Sequence, residues 1–301
     1  MNKTGGGSFD PSEPYCYFLA SNLDRQQWGA KIHEHLLVAI NELKDTDLPR
    51  IEQWCDEGKK LFIDSGVFTL AMNHAREHNV THDIALNLAP DDIDGFQELY
   101  DRYISIMETI GEKSWGYVEI DQGGRENKLK TRAKLEALGL HPIPVYHPFG
   151  DGWDYFDYLA QNYDRICFGN IVQADRETRK RLVTTAWERK RKYPHLWIHL
   201  LGLTPNEWLN AFPINSADSS TWLSTVRWSG YLERSDLRSF GGIDDLYRYV
   251  LGSNPEGEAG SQKACMMSAY GAMMSERNWR RHIADLVAAG CTILPEVEVY
   301  A

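Results

Sequence analysis

Short apolar runs, rich in β-branched and aromatic residues, alternate along the chain with segments in which apolar residues recur every three or four positions. The runs predict eight strands, at residues 15–20, 61–64, 115–121, 142–146, 165–171, 196–201, 212–218 and 291–294. Nearly continuous apolar runs of this length are typical of parallel strands that are buried on both faces.

Helical patterns separate several of these runs. Apolar residues recur with helical spacing from Pro90 to Gly111, a second helix is predicted over residues 128–138, and residues 204–207 form a capping box with proline at the first helical position. Strands that alternate with helices predict an α/β fold, and eight such strands favour a (β/α)8 TIM barrel. A doubly wound open sheet is the alternative, although the chain has no GxGxxG or P-loop motif to support it.

One domain is predicted over residues 15–301, after an arm at residues 1–14 that is rich in glycine and polar residues. The arm is predicted to be flexible, and it lacks the apolar segment of a secretory signal. Residues 223–278 interrupt the alternation of strands and helices, so they are predicted to be an insertion before the last βα unit. No apolar run approaches the ~20 residues of a membrane-spanning helix, so we expect no membrane partner.

Cysteine content and charge limit the class of protein further. The five cysteines of the 301-residue chain are scattered and form no CxxC pair, which argues against a disulfide framework and favours a cytoplasmic protein with reduced thiols. The net charge of −11 counts against simple electrostatic binding of a nucleic-acid duplex. Two basic stretches, at residues 128–134 and 176–192, are interpreted as solvated helix faces, with a phosphate-binding track as the alternative.

Three aspartates lie where predicted strands end. Because the C-terminal ends of barrel strands form the active-site face, Asp64, Asp121 and Asp218 are expected at one rim, together with Gly169 and Gly202. A single aspartate in such a place is commonly a turn residue or a helix N-cap, but three of them indicate a functional site. Two carboxylates that face a sugar carbon can cleave a glycosidic bond, one acting at C1′ and one transferring the proton of the leaving group.

Short motifs within residues 15–222 resemble those of the tRNA-guanine transglycosylase superfamily. The DSGVF motif at residues 64–68 resembles the family's DSGGF, and LLGLTP at residues 200–205 resembles its LMGVG-P segment. Asp121 in VEIDQ, Gly169-Asn170 in CFGNIV and Asp218 in ADSSTW follow in the family's order. The sequence around the last aspartate and the PVYHPFG segment look more like the compact phage-type branch, which inserts 7-deazaguanines into DNA. A phage-encoded protein would then act in the host cytoplasm.

The resemblance implies a role for each matched residue. Asp218 would be the nucleophile at C1′ and Asp64 the general acid/base. An aspartate would accept from N1 and N2 of guanine, backbone N–H groups would donate to O6, and side chains on both faces would stack on the ring. With His147, which follows the fourth predicted strand, the expected substrate-binding residues are Ser65, Phe68, Asp121, His147, Gly169, Asn170, Leu201 and Gly202.

The implied reaction exchanges guanine in a nucleic acid for a 7-deazaguanine such as preQ0, through a covalent aspartyl–C1′ intermediate and without a cofactor. A base inside a duplex does not reach such a pocket, so the substrate is expected to be single-stranded or to present a flipped base.

The chain departs from the family in three places. The tRNA enzymes carry a CxCxxC…His zinc site after the nucleophile, whereas this chain has only Cys265, Cys291 and His282 there, so no zinc and no zinc subdomain are predicted. Loss of that subdomain removes part of the surface that grips tRNA, so DNA is favoured over tRNA as the partner. Val67 replaces the second glycine of DSGGF, and Asn170 stands within the family's GGL turn, which puts the shape of the base pocket in question.

Other hypotheses stay open on the sequence. A barrel glycosidase or nucleosidase would use the same carboxylates with water as the acceptor, and a non-catalytic barrel would only bind nucleic acid or a partner. Residues 74–78 (HAREH) match the H-x-x-E-H pattern of inverted zinc peptidases, with His82 further along the stripe, but a polar stretch of this kind is more often a solvated helix. His199 is interpreted as a satisfied core histidine and not as a ligand.

Overall fold

The computed structural model describes residues 2–205, 212–223, 248 and 260–290. Within these residues eight strands form one all-parallel sheet: β1 (Cys16–Ala20), β2 (His35–Ala39), β3 (Lys60–Asp64), β4 (Gly116–Tyr117), β5 (Val145–Tyr146), β6 (Arg165–Phe168), β7 (Trp197–Leu200) and β8 (Ser216–Ser219). The α-helices are α1 (Leu23–Gly29), α2 (Leu48–Asp56), α3 (Val67–His78), α4 (His82–Asn87), α5 (Phe96–Ile110), α6 (Gly124–Ala137), α7 (Trp153–Asn162), α8 (Arg176–Lys190) and α9 (Gly260–Ala288).

The sheet is curled, with strand order β4-β3-β2-β1-β8-β7-β6-β5, so that the first and last strands pair with each other and β4 and β5 are its edges. One apolar cluster, which includes Phe18, Phe62, Trp115, Val145 and Trp197, fills the inner side of the curl. The α/β prediction is confirmed, and the curled parallel sheet is compatible with a (β/α)8 barrel. Among the described residues, no helix combines the length and the apolar character that crossing a bilayer requires.

Seven of the eight predicted strands correspond to observed ones. Strand β2 (His35–Ala39) was not predicted, and it completes the set of eight at β8. The insertion predicted at residues 223–278 depends on the predicted strand at residues 291–294 and stays a prediction. The predicted strand at residues 291–294 and the helix expected from the capping box at residues 204–207 lie outside the described residues.

Residues 2–9, predicted to be part of a flexible arm, lie against the end of the sheet where the strands begin. Thr4 donates from its backbone N–H and its hydroxyl to Asp164, and the Arg165 guanidinium donates to Thr4. The Phe9 ring packs edge-on against Trp115 and Trp197, at centroid distances of 5.3 and 5.0 Å. This segment covers the end of the inner cluster that is remote from the strands' C-terminal ends.

Helix α9 is attached to the sheet by a buried ion pair. Glu276 accepts the backbone N–H of Tyr17 at 2.8 Å and lies 2.9 Å from His35 Nδ1. Burial alone would raise the pKa of Glu276, but His35, His33 and Arg280 lower it to about 2. The charge pair reaches β1 and β2 where these two strands begin, so the long helix is held at a defined position on the sheet.

A second buried pair connects the two edge strands. An isolated bridge joins Val118, just after β4, to Ile143, just before β5, and the Glu119 carboxylate accepts the backbone N–H of Val145 at 2.6 Å. Arg132 of α6 donates to both oxygens of Glu119, at 2.7 and 3.0 Å, and both side chains are almost fully buried. The basic stretch at residues 128–134 is therefore not simply a solvated face, because Lys128 and Arg132 are buried cations.

We expect Arg132→Met to lower the free energy of unfolding by about 3–5 kcal/mol, because it leaves the Glu119 carboxylate buried without its partner. Chemical denaturation measures the change. Arg125→Met is the matched control, since Arg125 pairs with Asp154 at the surface of the same helix, where an ion pair contributes about 0–1 kcal/mol. Equal effects of the two substitutions would contradict the role given to the buried pair.

Candidate functional site

A cavity of about 660 Å³ opens where the strands end. Each predicted site residue lies on its wall, although the residues come from six different strand ends and are far apart in sequence. They are Asp64, Ser65, Phe68, Asp121, His147, Gly169, Asn170, Leu201, Gly202 and Asp218. The sheet therefore brings together the set that the sequence singled out, and their chemical roles stay predictions.

Asp64 is positioned by a tight turn between β3 and α3. Gly66 has φ +81°, and a Cβ atom there would lie 2.6 Å from Asn41 Oδ1, so the turn needs glycine. The Gly66 N–H donates to Asp64 Oδ2 at 3.2 Å. Helix α3 starts at the next residue and places Phe68, whose surface is 51% exposed, on the cavity wall.

The Asp64 carboxyl is balanced between its two protonation states near neutral pH. Burial, followed by the negative charges of Asp121 and Asp218, raises its pKa to about 7, against the opposing hydrogen bonds from Gly66 and Ser65. A carboxyl with such a pKa can both give and take a proton at neutral pH, which is what general acid/base chemistry requires.

Asp121 stays ionised because a histidine faces it. Burial alone would raise the pKa of Asp121, but His147, whose Nε2 lies 2.9 Å from Asp121 Oδ2, and the more distant Lys128 lower it. The other oxygen accepts a long hydrogen bond of 3.4 Å from the Ser65 hydroxyl. His147 is itself held through its backbone N–H, which donates to Asp151 at 2.7 Å.

Asp218 is held by two donors on one oxygen. Gly202 donates its backbone N–H to Asp218 Oδ1 at 2.9 Å, and His199 Nε2 lies 3.1 Å from the same atom. None of the hydrogen bonds among the described residues uses Oδ2. The described residues thus fix the carboxylate through Oδ1.

The protonation of His199 follows from its neighbours. An ionised Asp218 only accepts hydrogen bonds, so His199 has to donate from Nε2. A neutral ring then accepts at Nδ1, where Ser216 Oγ lies at 2.9 Å. Ser216 accepts in turn from Trp197 Nε1–H at 2.7 Å, which leaves its own proton for the histidine. A chain of hydrogen bonds from Trp197 to Asp218 thus fixes one tautomer.

The remaining predicted residues bring backbone groups and an aliphatic side chain to the cavity wall. Asn170 adopts the left-handed conformation, with φ +57°, directly after Gly169. A Cβ atom at Gly169 would lie 3.0 Å from Val145 and 3.2 Å from the His147 ring, so this position favours glycine for lack of space. Leu201 and Gly202 approach from β7.

Sequence reasoning missed several functional candidates. His199, interpreted as a core histidine, is indeed buried but contacts Asp218, and Ser216 supports it. His82, assigned to a histidine stripe, instead packs on Phe68 with ring centroids 4.7 Å apart. Both His82 and Glu42 line the cavity. For His199 a signal was available in the sequence, because WIHLL overlaps the LLGLTP motif.

Two groups of side chains in the described residues have the spacing of metal ligands: His33, His35 and Glu276, and His74, His78 and Asp94. Neither group lines the cavity. The prediction that the site works without a metal is not tested by this arrangement.

No protein-family model matches the chain, and no curated protein matches its sequence. The function is therefore argued from the site itself.

The folded protein favours the protonated form of Asp64, because it raises the pKa of this carboxyl to about 7. The free energy of unfolding therefore contains a contribution from Asp64 that is complete below the ordinary pKa of an aspartate and is lost as the pH rises through about 7. Asp64→Asn is expected to raise the melting temperature at about pH 8.5 and to change it little at about pH 4. Thermal denaturation across this range measures the difference, with Asp91→Asn, an exposed position, as the control. A melting temperature that responds equally at both pH values would contradict the raised pKa.

Proposed function

We propose that this chain is a guanine transglycosylase of the tRNA-guanine transglycosylase superfamily, on a complete (β/α)8 barrel, that exchanges guanine in DNA for a 7-deazaguanine. The observation that carries the proposal is the state of the three carboxylates in one cavity. Asp64 is poised to exchange a proton, Asp121 is kept charged by His147, and Asp218 has one oxygen fixed and the other open. These are the states that acid/base catalysis, recognition of N–H donors and nucleophilic attack each need.

The reaction proceeds in two displacements. Asp218 Oδ2 forms a bond to C1′ as the C1′–N9 bond breaks, and the electron pair leaves with the purine, which takes a proton from Asp64. The incoming 7-deazaguanine then loses its N9 proton to the Asp64 carboxylate, and N9 attacks C1′ and releases Asp218. Atoms and charge balance without a cofactor, because the same proton site is used in both directions.

Recognition of the base uses other residues of the cavity wall. Asp121 accepts from N1–H and N2–H2 of guanine, and the backbone N–H of Asn170 donates to O6, since the Gly169 N–H already donates to the Tyr146 carbonyl at 2.9 Å. Phe68 and Leu201 enclose the ring, and stacking of this kind is worth about 1–3 kcal/mol per base. Ser65, His147 and Gly202 hold the aspartates in place, as their hydrogen bonds to Asp121 and Asp218 indicate.

A basic face beside the cavity supports a nucleic-acid substrate despite the net charge of −11. Helix α8 follows the loop that contributes Asn170 and Val172 to the cavity wall. Its residues Arg176, Lys180 and Arg181 are exposed, and they would contact the phosphates that flank a flipped or single-stranded guanine.

Base exchange is the direct test. The protein is incubated with single-stranded DNA, duplex DNA or tRNA and a labelled 7-deazaguanine, and nucleosides are measured by mass spectrometry. We expect incorporation into DNA, and a fall of roughly 10³-fold or more in Asp218→Asn, which lacks the nucleophile. Asp91→Asn is the control.

The outcomes separate the hypotheses. Wild-type exchange in Asp218→Asn would overturn the nucleophile assignment, and incorporation into tRNA alone would overturn the DNA preference. Guanine released without incorporation would indicate a nucleosidase, and binding without either product a non-catalytic protein.

A second prediction concerns His199, which acts through Asp218 and does not line the cavity. His199→Phe removes the donor to Oδ1 and is expected to lower kcat by roughly 10²-fold, the effect of a misplaced reacting group, with little change in KM for the base. His199→Gln retains an N–H donor and is expected to restore part of kcat. Equal kcat values for the two variants, or a loss expressed in KM, would contradict this positioning role.

A further inference from the structure

The HAREH motif places two histidines on one face of α3, outside the cavity. His74 and His78 are one helical turn apart, and their rings stack with centroids 4.1 Å apart at an interplanar angle of 26°. The spacing of four residues lets both rings reach one point beside the helix. Glu77, the motif's acidic residue, is not part of the cluster that the two histidines form.

A carboxylate from another segment completes the cluster. Asp94 lies in the loop before α5, and its Oδ2 is 2.9 Å from His78 Nε2 and 3.5 Å from His74 Nδ1. The three donor atoms lie within 4.8 Å of one another. The third ligand is therefore Asp94, sixteen residues beyond His78, and not the glutamate or the histidine that the linear pattern suggested.

His74 supplies a separate observation. The residue is only 8% exposed, and its buried Nδ1 atom makes no hydrogen bond in the described part of the chain. An unpaired buried polar atom is unfavourable, because it has lost its hydrogen bonds to water. Nδ1 lies 3.5 Å from Asp94 Oδ2 without a hydrogen bond, a separation at which one cation can contact both atoms.

We propose that His74, His78 and Asp94 bind a divalent transition-metal ion of the zinc class. Two imidazole nitrogens and one carboxylate oxygen form a donor set that Zn²⁺ accepts, whereas calcium and magnesium prefer oxygen ligands alone. Because His78 and Asp94 are largely exposed, water fills the remaining coordination positions. The metal links α3, the helix that carries Phe68, to the loop before α5.

The test uses tag-free protein, stripped with a chelator and titrated with zinc chloride alone by calorimetry. Wild-type protein is expected to bind one zinc at this site and to gain melting temperature, since an ion that binds only the folded state stabilises it. His78→Gln and Asp94→Asn change exposed side chains and are expected to fold normally but to bind zinc at least about 10-fold more weakly. His141→Gln, at an exposed histidine outside the cluster, is the matched control and should bind as the wild type does.

Retention of wild-type zinc affinity by both ligand variants would overturn the site, as would the absence of saturable binding to the wild type. An equal loss in His141→Gln would attribute the binding to scattered surface histidines and would also overturn it. Base exchange does not enter this experiment, so its outcome is independent of the proposed function.

Discussion

Three carboxylates share the cavity rim, and the repulsion between them is the constraint on which the rest of the site depends. The surroundings of each carboxylate reduce this repulsion in a different way. Burial, and then the charges of Asp121 and Asp218, raise the pKa of Asp64 to about 7, so this carboxyl is partly protonated at neutral pH. Asp121 keeps its charge against His147, and Asp218 keeps one oxygen bound by two N–H donors. Similar side chains are thereby given different chemical states by their surroundings, which is how a pair of carboxyl groups divides acid and nucleophile roles.

Buried cations beneath the rim make this arrangement possible. Lys128 of α6 donates to Asp151 and to the Val145 carbonyl, and Asp151 holds the backbone of His147. Arg132, one turn later on α6, fixes Glu119 between the two edge strands. One face of a single helix thus fixes both the partner of Asp121 and the region where the sheet's edges meet. Stability and the electrostatics of the site depend on the same contacts.

Periodicity predicted the α/β class and seven strands, and strand ends indicated the three aspartates with Gly169 and Gly202, because these features are local in sequence. The resemblance of short motifs supplied most of the other cavity residues. Strand β2 was missed since its short run, Leu36–Ala39, stands among helical segments without a turn signal. Gly95, with φ +81°, divides the helix predicted from Pro90 into a 3-10 turn and α5. Hydrogen bonds such as those of His199 and Arg132 join residues that only the fold brings together, so no sequence pattern contains them.

The two departures that fall within the pocket motifs, Val67 and Asn170, are compatible with the proposed pocket. Gly66 is the position whose backbone requires glycine, and it is retained, whereas Val67 is the first residue of α3 and packs in the core. Asn170 occupies the left-handed conformation, which asparagine tolerates better than most residues, so the turn after β6 keeps a geometry that glycine would allow. What the second change adds is an amide side chain on the cavity wall. Under the proposed function, the Asn170 N–H would remain the donor toward O6, and any altered preference among 7-deazaguanines would come from that side chain.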